Sequence, residues 1–449
     1  MENELLPEKS KPVFELKKLT ANRIGWLPII LISLLSLFAI SGAALTPFHP
    51  DESTYLYMSS DFNLLLNQPQ SMAYTPANEE EVRQRYRLID APLTRYYLGL
   101  VRLIFGLEAP ASDWDWSSDW KTNHSIGAAP TPELLQVSRI AISLLFPCCL
   151  VLIFLIGKEL QGENTGILAV LFFGLNALAL LHNRRIMAEA WLTLGILLCM
   201  YIGLKTNMRP WLGGLAAAIV FNAKHSGFLL IPILLGALLW RSVRSKETAR
   251  RALWDVLQFC AIFLIITILL NPVFWKDPLS TAAAAWHERT DLVAKQAADA
   301  GNKASGNLGQ QVMFRSGILT ANLYLTELAF YEVGNYAAHT AASEQSYLQV
   351  PGHQLLRSPV GAGLALFLTL FGLITSLRSI KAMPIRQKRA HCLLWLTGCI
   401  LFIGTVAMVP LPWQRYAMPL VPVVSLWMAY GLAQVALDRI GKHQNLFKN

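Results

Sequence analysis

The stretch Thr46-Pro47-Phe48-His49-Pro50-Asp51-Glu52 sets two adjacent carboxylates and a histidine directly behind an apolar run, Trp26 to Leu45. A carboxylate in mid-membrane costs roughly 2.5–3.5 kcal/mol on insertion scales, so such a pair belongs at the interface. Even there, two neighbouring acids repel unless a cation or a basic group joins them. General-base catalysis or cation binding is the chemistry this pattern can perform. Other turns bring polar groups to helix ends in the same way: Leu181-His182-Asn183-Arg184-Arg185-Ile186-Met187-Ala188-Glu189, and Phe221-Asn222-Ala223-Lys224-His225-Ser226-Gly227. Two more are Asn271-Pro272-Val273-Phe274-Trp275-Lys276-Asp277-Pro278 and Val409-Pro410-Leu411-Pro412-Trp413-Gln414-Arg415-Tyr416. Glu189 heads an apolar run, where a lone acid is costly; a first-turn role in the helix dipole is its ordinary alternative. Lys224 and His225 break a strongly apolar stretch. Arg415 reads equally as a functional cation and as a snorkelling interface anchor. His182 and His287 are lone histidines and read as structural.

These residues need elements to carry them, and composition says which kind. The chain has 449 residues, 54% hydrophobic and 15% charged, with mean hydropathy +0.39. A soluble protein carries roughly 25% charged residues. The pattern predicts an all-α, polytopic transmembrane bundle of about ten spans, near 26–46, 134–156, 165–182, 187–204, 211–223, 227–240, 253–271, 359–378, 390–409 and 416–436. Lys and Arg gather in alternate loops, so the positive-inside rule puts those loops and both tails (1–25 and 437–449) in the cytoplasm. The net charge of +9 is therefore topological and excludes a nucleic-acid footprint. The six cysteines lie within apolar runs, fit no zinc spacing, and read as packed thiols. The first span is too long and lacks the cleavage site of a signal peptide, so it reads as a retained anchor.

Two long segments, 47–133 and 272–358, fall on the outer side, around a core at 134–271 and C-terminal helices at 359–436. The first is acid-rich and contains Ala91-Pro92-Leu93-Thr94-Arg95-Tyr96-Tyr97-Leu98-Gly99-Leu100-Val101-Arg102-Leu103-Ile104-Phe105. Two arginines and a leading proline argue for an amphipathic helix in the interface rather than a span. The second reads as a small helical cap. Trp114, Trp116 and Trp120 read as an interfacial belt, with sugar stacking as the alternative. On this topology acidic and basic turns alternate around one outer surface. That suits an anionic, phosphate-bearing substrate, a reacting hydroxyl and a divalent ion.

The ordered set of landmarks resembles the GT-C class of polytopic glycosyltransferases that use lipid-linked sugars, especially the protein O-mannosyltransferase and aminoarabinose-transferase group. Asp51-Glu52 in the first outer loop carries the resemblance. So do Ala91-Pro92-Leu93 with its aromatic followers, the acid in Arg185-Ile186-Met187-Ala188-Glu189, and the turn Ala223-Lys224-His225-Ser226-Gly227. Asn271-Pro272-Val273-Phe274-Trp275 and Arg415-Tyr416-Ala417-Met418-Pro419-Leu420 complete it. Ala91 stands where the group often has a proline, and Glu189 where aspartate is common.

The resemblance implies sugar transfer from a polyprenyl-phosphate donor to a lipid, glycan or protein acceptor, by a single displacement with inversion. Asp51 would be the general base, with Glu52 and Glu189 as further catalytic acids. Those two could hold Mg²⁺ or Mn²⁺, whose preferred ligands are oxygens, or orient the acceptor without a metal. Substrate contacts are expected from His49, Arg95, Arg184, Lys224, His225, Lys276, Arg415 and Tyr416. Small loops point to a bacterial inner membrane, with the site on the periplasmic or extracellular side. A competing reading is a transporter or lipid flippase for an anionic substrate. Such proteins favour ionisable groups at the midplane and repeated halves, and no repeat is visible here. A non-catalytic scaffold or partner subunit is a third reading.

Overall fold

The computed structural model describes residues 25–78, 81–299, 308–331, 334–408 and 411–446. Residues 1–24 and 447–449, parts of the tails expected in the cytoplasm, lie outside the described residues, as do Glu79, Glu80, Val409 and Pro410. Every regular element among the described residues is helical. Helix α1 (Trp26–Ser41) runs through a 3-10 turn to Leu45. A first connecting region carries α2 (Pro50–Met58), α3 (Asp61–Asn67), α4 (Val82–Ile89), α5 (Pro92–Phe105) and α6 (Trp120–Ser125). The core follows with α7 (Pro132–Ser143), α8 (Leu145–Gln161), α9 (Glu163–Gly174), α10 (Ala177–His182), α11 (Glu189–Leu204), α12 (Pro210–Ala223), α13 (Ile231–Arg244) and α14 (Ala249–Leu270). A second connecting region holds α15 (Pro278–Asp299), α16 (Leu308–Tyr324) and α17 (Ala337–Leu348). The chain then returns through α18 (Pro359–Ser379), α19 (Ile385–Met408) and α20 (Val421–Leu446).

Among the described residues seven helical stretches are long and apolar enough to cross a membrane, so this is an integral membrane protein. Three of the ten expected spans are instead short apolar helices, α9, α11 and α12. At 1.5 Å per residue, a helix of this length falls short of the ~30 Å hydrocarbon core. Their ends are consequently recessed within the bundle, which is where buried Glu189 and Asn222 sit. The segment Gln414–Val435 lies at the centre of the bundle, whereas α14 lies at its periphery with most side chains facing outward. Helix α8 packs on α9 and α11, α20 on α9 and α18, and α12 on α11 and α14. Contact between α18 and α20 is close because Gly372 and Gly431 face each other's backbone; a Cβ on Gly372 would lie 2.1 Å from the Trp427 carbonyl. Small residues of this kind are what let membrane helices approach without a hydrophobic drive.

Helix α5 occupies the range expected of an interfacial helix, with its faces arranged for lipid. Leu103, Ile104 and Phe105 are exposed, while Arg95 and Arg102 are buried against the protein. Arg95 lies 3.6 Å from Asp61 and donates to the Asp90 carbonyl at 2.9 Å; Arg102 donates to Ser59 at 3.1 Å. Both arginines share the inward face with Leu98 and Val101, and the outward face at the end of the helix is apolar. The three tryptophans all make contacts within the protein. Trp114 is buried, Trp120 stacks on His339 with ring centroids 4.8 Å apart, and Asn335 donates to the Trp116 carbonyl at 2.9 Å. Trp116 and Trp120 join the first connecting region to the second through Tyr336 and His339, while Trp114 packs on Phe48.

Candidate active site

Asp51 is placed by the N-terminus of α2. His49 caps that helix through its Nδ1, which accepts from the Asp51 amide at 3.2 Å, and Pro50 fills the first helical position. Pro there forgoes an amide that has no helical partner, and acids in the first turn meet the positive end of the dipole. The Asp51 carboxylate forms an ion pair with Arg415 Nη1. Arg415 arrives on a 3-10 turn, Gln414–Leu420, that leads into α20. Gln414 pins that turn to the second connecting region: it accepts from the Ala329 amide at 2.9 Å and donates to Thr326 Oγ1 at 2.8 Å.

A second pair stands beside the first. Glu189 opens α11, and Lys224 leaves the end of α12 in an extended conformation; their charged atoms are 2.7 Å apart. The Lys224 ammonium sits 5.7 Å from the Tyr416 ring centre, and the Arg415 guanidinium lies over Trp413 at 4.6 Å. Burial pushes the Asp51 carboxyl up, but Arg415, His49 and Lys224 together outweigh it and leave it below the usual carboxylate value. It therefore stays ionised. Tyr55, one turn further along α2, is held as a neutral phenol: burial raises it, and Asp90, Glu189 and Asp51 add to the effect. Beside the two pairs a cavity of about 60 Å³ lies between α11, the 3-10 turn His225–Leu230 and α19, with Lys224, Arg289 and Arg415 among its polar lining and Leu192, Ile196 and Leu401 among its apolar lining. The cavity is thus cationic where Lys224, Arg289 and Arg415 line it and aliphatic along α11 and α19.

The structure brings together Asp51, His49, Glu189, Lys224, Arg415 and Tyr416. It does not bring in the others. His225 stacks on Phe221 with ring centres 5.1 Å apart and hydrogen-bonds the Ile89 backbone. Lys276 is exposed and does not line that cavity. Arg95 belongs to the Asp61 network described above. Arg184 donates to the carbonyls of Phe38 and Ala39 at 2.7 and 2.8 Å and to His353 at 2.8 Å. It is a clamp on the end of α1.

Glu52 is the sharpest departure. Its two oxygens accept from Arg139 Nε and Nη2 at 2.8 and 2.6 Å, from the His49 amide at 3.0 Å and from the Ile186 amide at 3.2 Å. The side chain has no solvent exposure. Burial raises this carboxyl, and Arg139, with help from Arg185 and the Ile186 amide, brings it below its usual value. A divalent ion held by Glu52 and Glu189 does not fit this donor set. Glu52 is saturated by a guanidinium and two amides, and Glu189 is paired with an ammonium. No group of three or more His, Cys, Asp or Glu gathers as a metal site among the described residues.

Three site residues carried no expectation from the sequence. Arg139 lies mid-helix in α7, where nothing local marks it. Arg289 is signalled only by the charged run His287-Glu288-Arg289 in an alanine-rich helix, and its register is fixed by the neighbouring Glu288–Arg85 pair at 3.1 Å. Asp90, raised by burial against the pull of Arg95 and Arg289, also feels Asp51 and Lys224.

No family model and no curated protein matches the chain. Similar solved structures include the oligosaccharyltransferase of Archaeoglobus fulgidus in the apo form, at 13% identity and TM-score 0.48, covering 93% of this chain and 51% of that one. The complex of that oligosaccharyltransferase with Zn and sulfate gives 14% and 0.48, covering 92% and 49%. The archaeal oligosaccharyltransferase AglB from Archaeoglobus fulgidus, in complex with an inhibitory peptide and a dolichol-phosphate, gives 13% identity and TM-score 0.49, covering 94% and 51%. The chain spans about half the length of these structures.

Proposed function

We propose that the chain is a membrane glycosyltransferase that moves a sugar from a polyprenyl-phosphate donor to an acceptor hydroxyl on the extracytoplasmic face. The observation that carries this reading is the pairing of Asp51 with Arg415 beside Glu189–Lys224, at the charged end of an otherwise aliphatic cavity. The lipid tail would lie along α11, the 3-10 turn His225–Leu230 and α19, and its phosphate would rest among Lys224, Arg415 and Arg289. A lipid-phosphate donor cannot leave the bilayer, so a site for it must sit at headgroup level next to such a groove.

In the reaction, Asp51 takes the proton of the acceptor hydroxyl as that oxygen bonds to the anomeric carbon. The bond from that carbon to the phosphate oxygen breaks, and the electron pair leaves with the lipid phosphate. Single displacement inverts the anomeric centre. General-base help of this kind is worth about 10²–10⁴-fold. Lys224, Arg415 and Arg289 are placed to neutralise the phosphate as its charge grows. The Asp51–Arg415 pair also links the two substrates. While paired, Asp51 is a weak base; a phosphate drawing Arg415 towards itself raises the proton affinity of Asp51 when the donor is in place.

Purified protein in sealed vesicles, given a panel of polyprenyl-phosphate hexoses and pentoses with membrane extract as acceptor source, tests the reading. Release of polyprenyl phosphate supports it. Accumulation of intact donor across the bilayer without bond cleavage supports transport instead and rejects it.

A further inference from the structure

We propose that Arg139 is a positioning residue for Asp51, acting at a distance through Glu52. The inference rests on the reading of Asp51 as the base and deepens it.

The segment that delivers Asp51 leaves α1 at Thr46 and enters α2 at Pro50. One guanidinium grips both of its ends. Arg139 Nη1 donates to the Thr46 carbonyl at 2.6 Å, while Nε and Nη2 hold the Glu52 carboxylate at 2.8 and 2.6 Å. Between those anchors, Glu52 accepts from the His49 amide at 3.0 Å, and His49 in turn accepts from the Asp51 amide at 3.2 Å. The peptide carrying the base is thereby fixed on both sides. The remaining bond of Glu52, from the Ile186 amide at 3.2 Å, ties the same hub to the turn that leads into Glu189. Arg139 thus sets the spacing between the element bearing Asp51 and the element bearing the Glu189–Lys224 pair, without belonging to either.

The chemistry favours arginine. Only a planar fork with several donors can hold a carboxylate through two bonds and a carbonyl through a third. Lysine keeps the charge but cannot reach both Thr46 and Glu52 in that geometry. Arg139→Lys should therefore preserve the buried ion pair and loosen the segment. A base must be held to within about half an ångström of its productive position, so loosening should reach catalysis while binding of the donor is spared.

The test compares wild type, Arg139→Lys and the neutral double variant Glu52→Gln/Arg139→Gln, which removes both charges and strands neither if the single variant fails to fold. Two readouts are followed. The first needs no substrate: pH-dependent carbodiimide labelling of Asp51, read by mass spectrometry of its peptide. The second is kcat and donor KM for polyprenyl phosphate release, normalised to folded protein, with Asp51→Asn alongside. The proposal expects the labelling midpoint of Asp51 to move up in the variants as its contact with Arg415 slackens. It also expects kcat to fall about tenfold or more with donor KM within about twofold of wild type. A folded variant with the wild-type labelling midpoint and an unchanged kcat per folded molecule would overturn it. If Asp51→Asn turns over normally, the reading of the base itself fails, whatever Arg139 does.

Discussion

The region around Asp51 and the region around Glu52 use the same ingredients, one carboxylate and one guanidinium each, at adjacent residues. In the first, the Asp51 side chain is 20% exposed and Arg415 12%, and Arg415 lines a cavity beside the pair. In the second, Glu52 is 0% and Arg139 5% exposed, and Glu52's hydrogen-bonding capacity is filled by protein. An ion pair with room beside it can exchange its partner for a substrate. A saturated one cannot, because any exchange would leave a charge buried and alone. Residue type does not separate the proposed base from the architectural acid here; spare bonding capacity and access do.

That contrast can be broken or sharpened by substitution. The largest effect should come from Arg139→Ala, which strands Glu52 without its cation. Loss of one partner from a buried pair costs about 3–5 kcal/mol, so the thermal or denaturant midpoint in detergent should drop steeply. Arg415→Gln should do the opposite: Asp51 is partly solvated, so the fold survives while activity falls about 10²–10³-fold as a phosphate contact is lost. The pH dependence carries a sign. Asp51 must be ionised to act, and activity falls as pH drops through its pKa. Arg415 is the largest influence holding that pKa down, so its removal should move the acid limb of the rate profile to higher pH. An unmoved limb would mean that Asp51 is not the titrating base.

A smaller effect is expected at Gly42. A Cβ there would lie 2.2 Å from the Arg184 guanidinium carbon, so Gly42→Ala must displace the clamp that holds the Phe38 and Ala39 carbonyls. Overpacking of this kind costs about 1–3 kcal/mol, readable as a lowered melting temperature. The smallest effect is at His353, which accepts from Arg184 and donates through Nδ1 to the Tyr347 carbonyl at 2.8 Å. Burial and the Arg184 charge push this imidazole down to about 4. Its folded value lies below the unfolded one, near 6.5, so the unfolded chain binds the extra proton first. The stability it protects is fully present above about pH 6.5 and is lost as pH falls towards 4, on the order of 1–2 kcal/mol. Melting between pH 7 and 4 should show this slope, and His353→Gln should flatten it.

Much of the fold was legible because span length and hydropathy answer to the bilayer alone. The helix at Pro92–Phe105 was legible too, since a proline at its first turn and paired arginines exclude a span. The convergence of Asp51, Glu189, Lys224 and Arg415 could be anticipated because each breaks an apolar run at a helix end. What could not be read were partners remote in sequence. Glu52 meets Arg139 across 87 positions and Arg184 meets His353 across 169. Neither pairing leaves a local trace, so Glu52 read as a metal ligand and Arg184 as a phosphate ligand. The docking of Trp116 and Trp120 on the second connecting region escaped for a related reason, since no periodicity encodes it.

The most direct measurement is polyprenyl phosphate release by purified Asp51→Asn in sealed vesicles, beside wild type of matched folded amount. The account predicts that release falls by about 10²–10⁴-fold with the melting temperature near wild type. Release at the wild-type rate from a folded Asp51→Asn protein would contradict it.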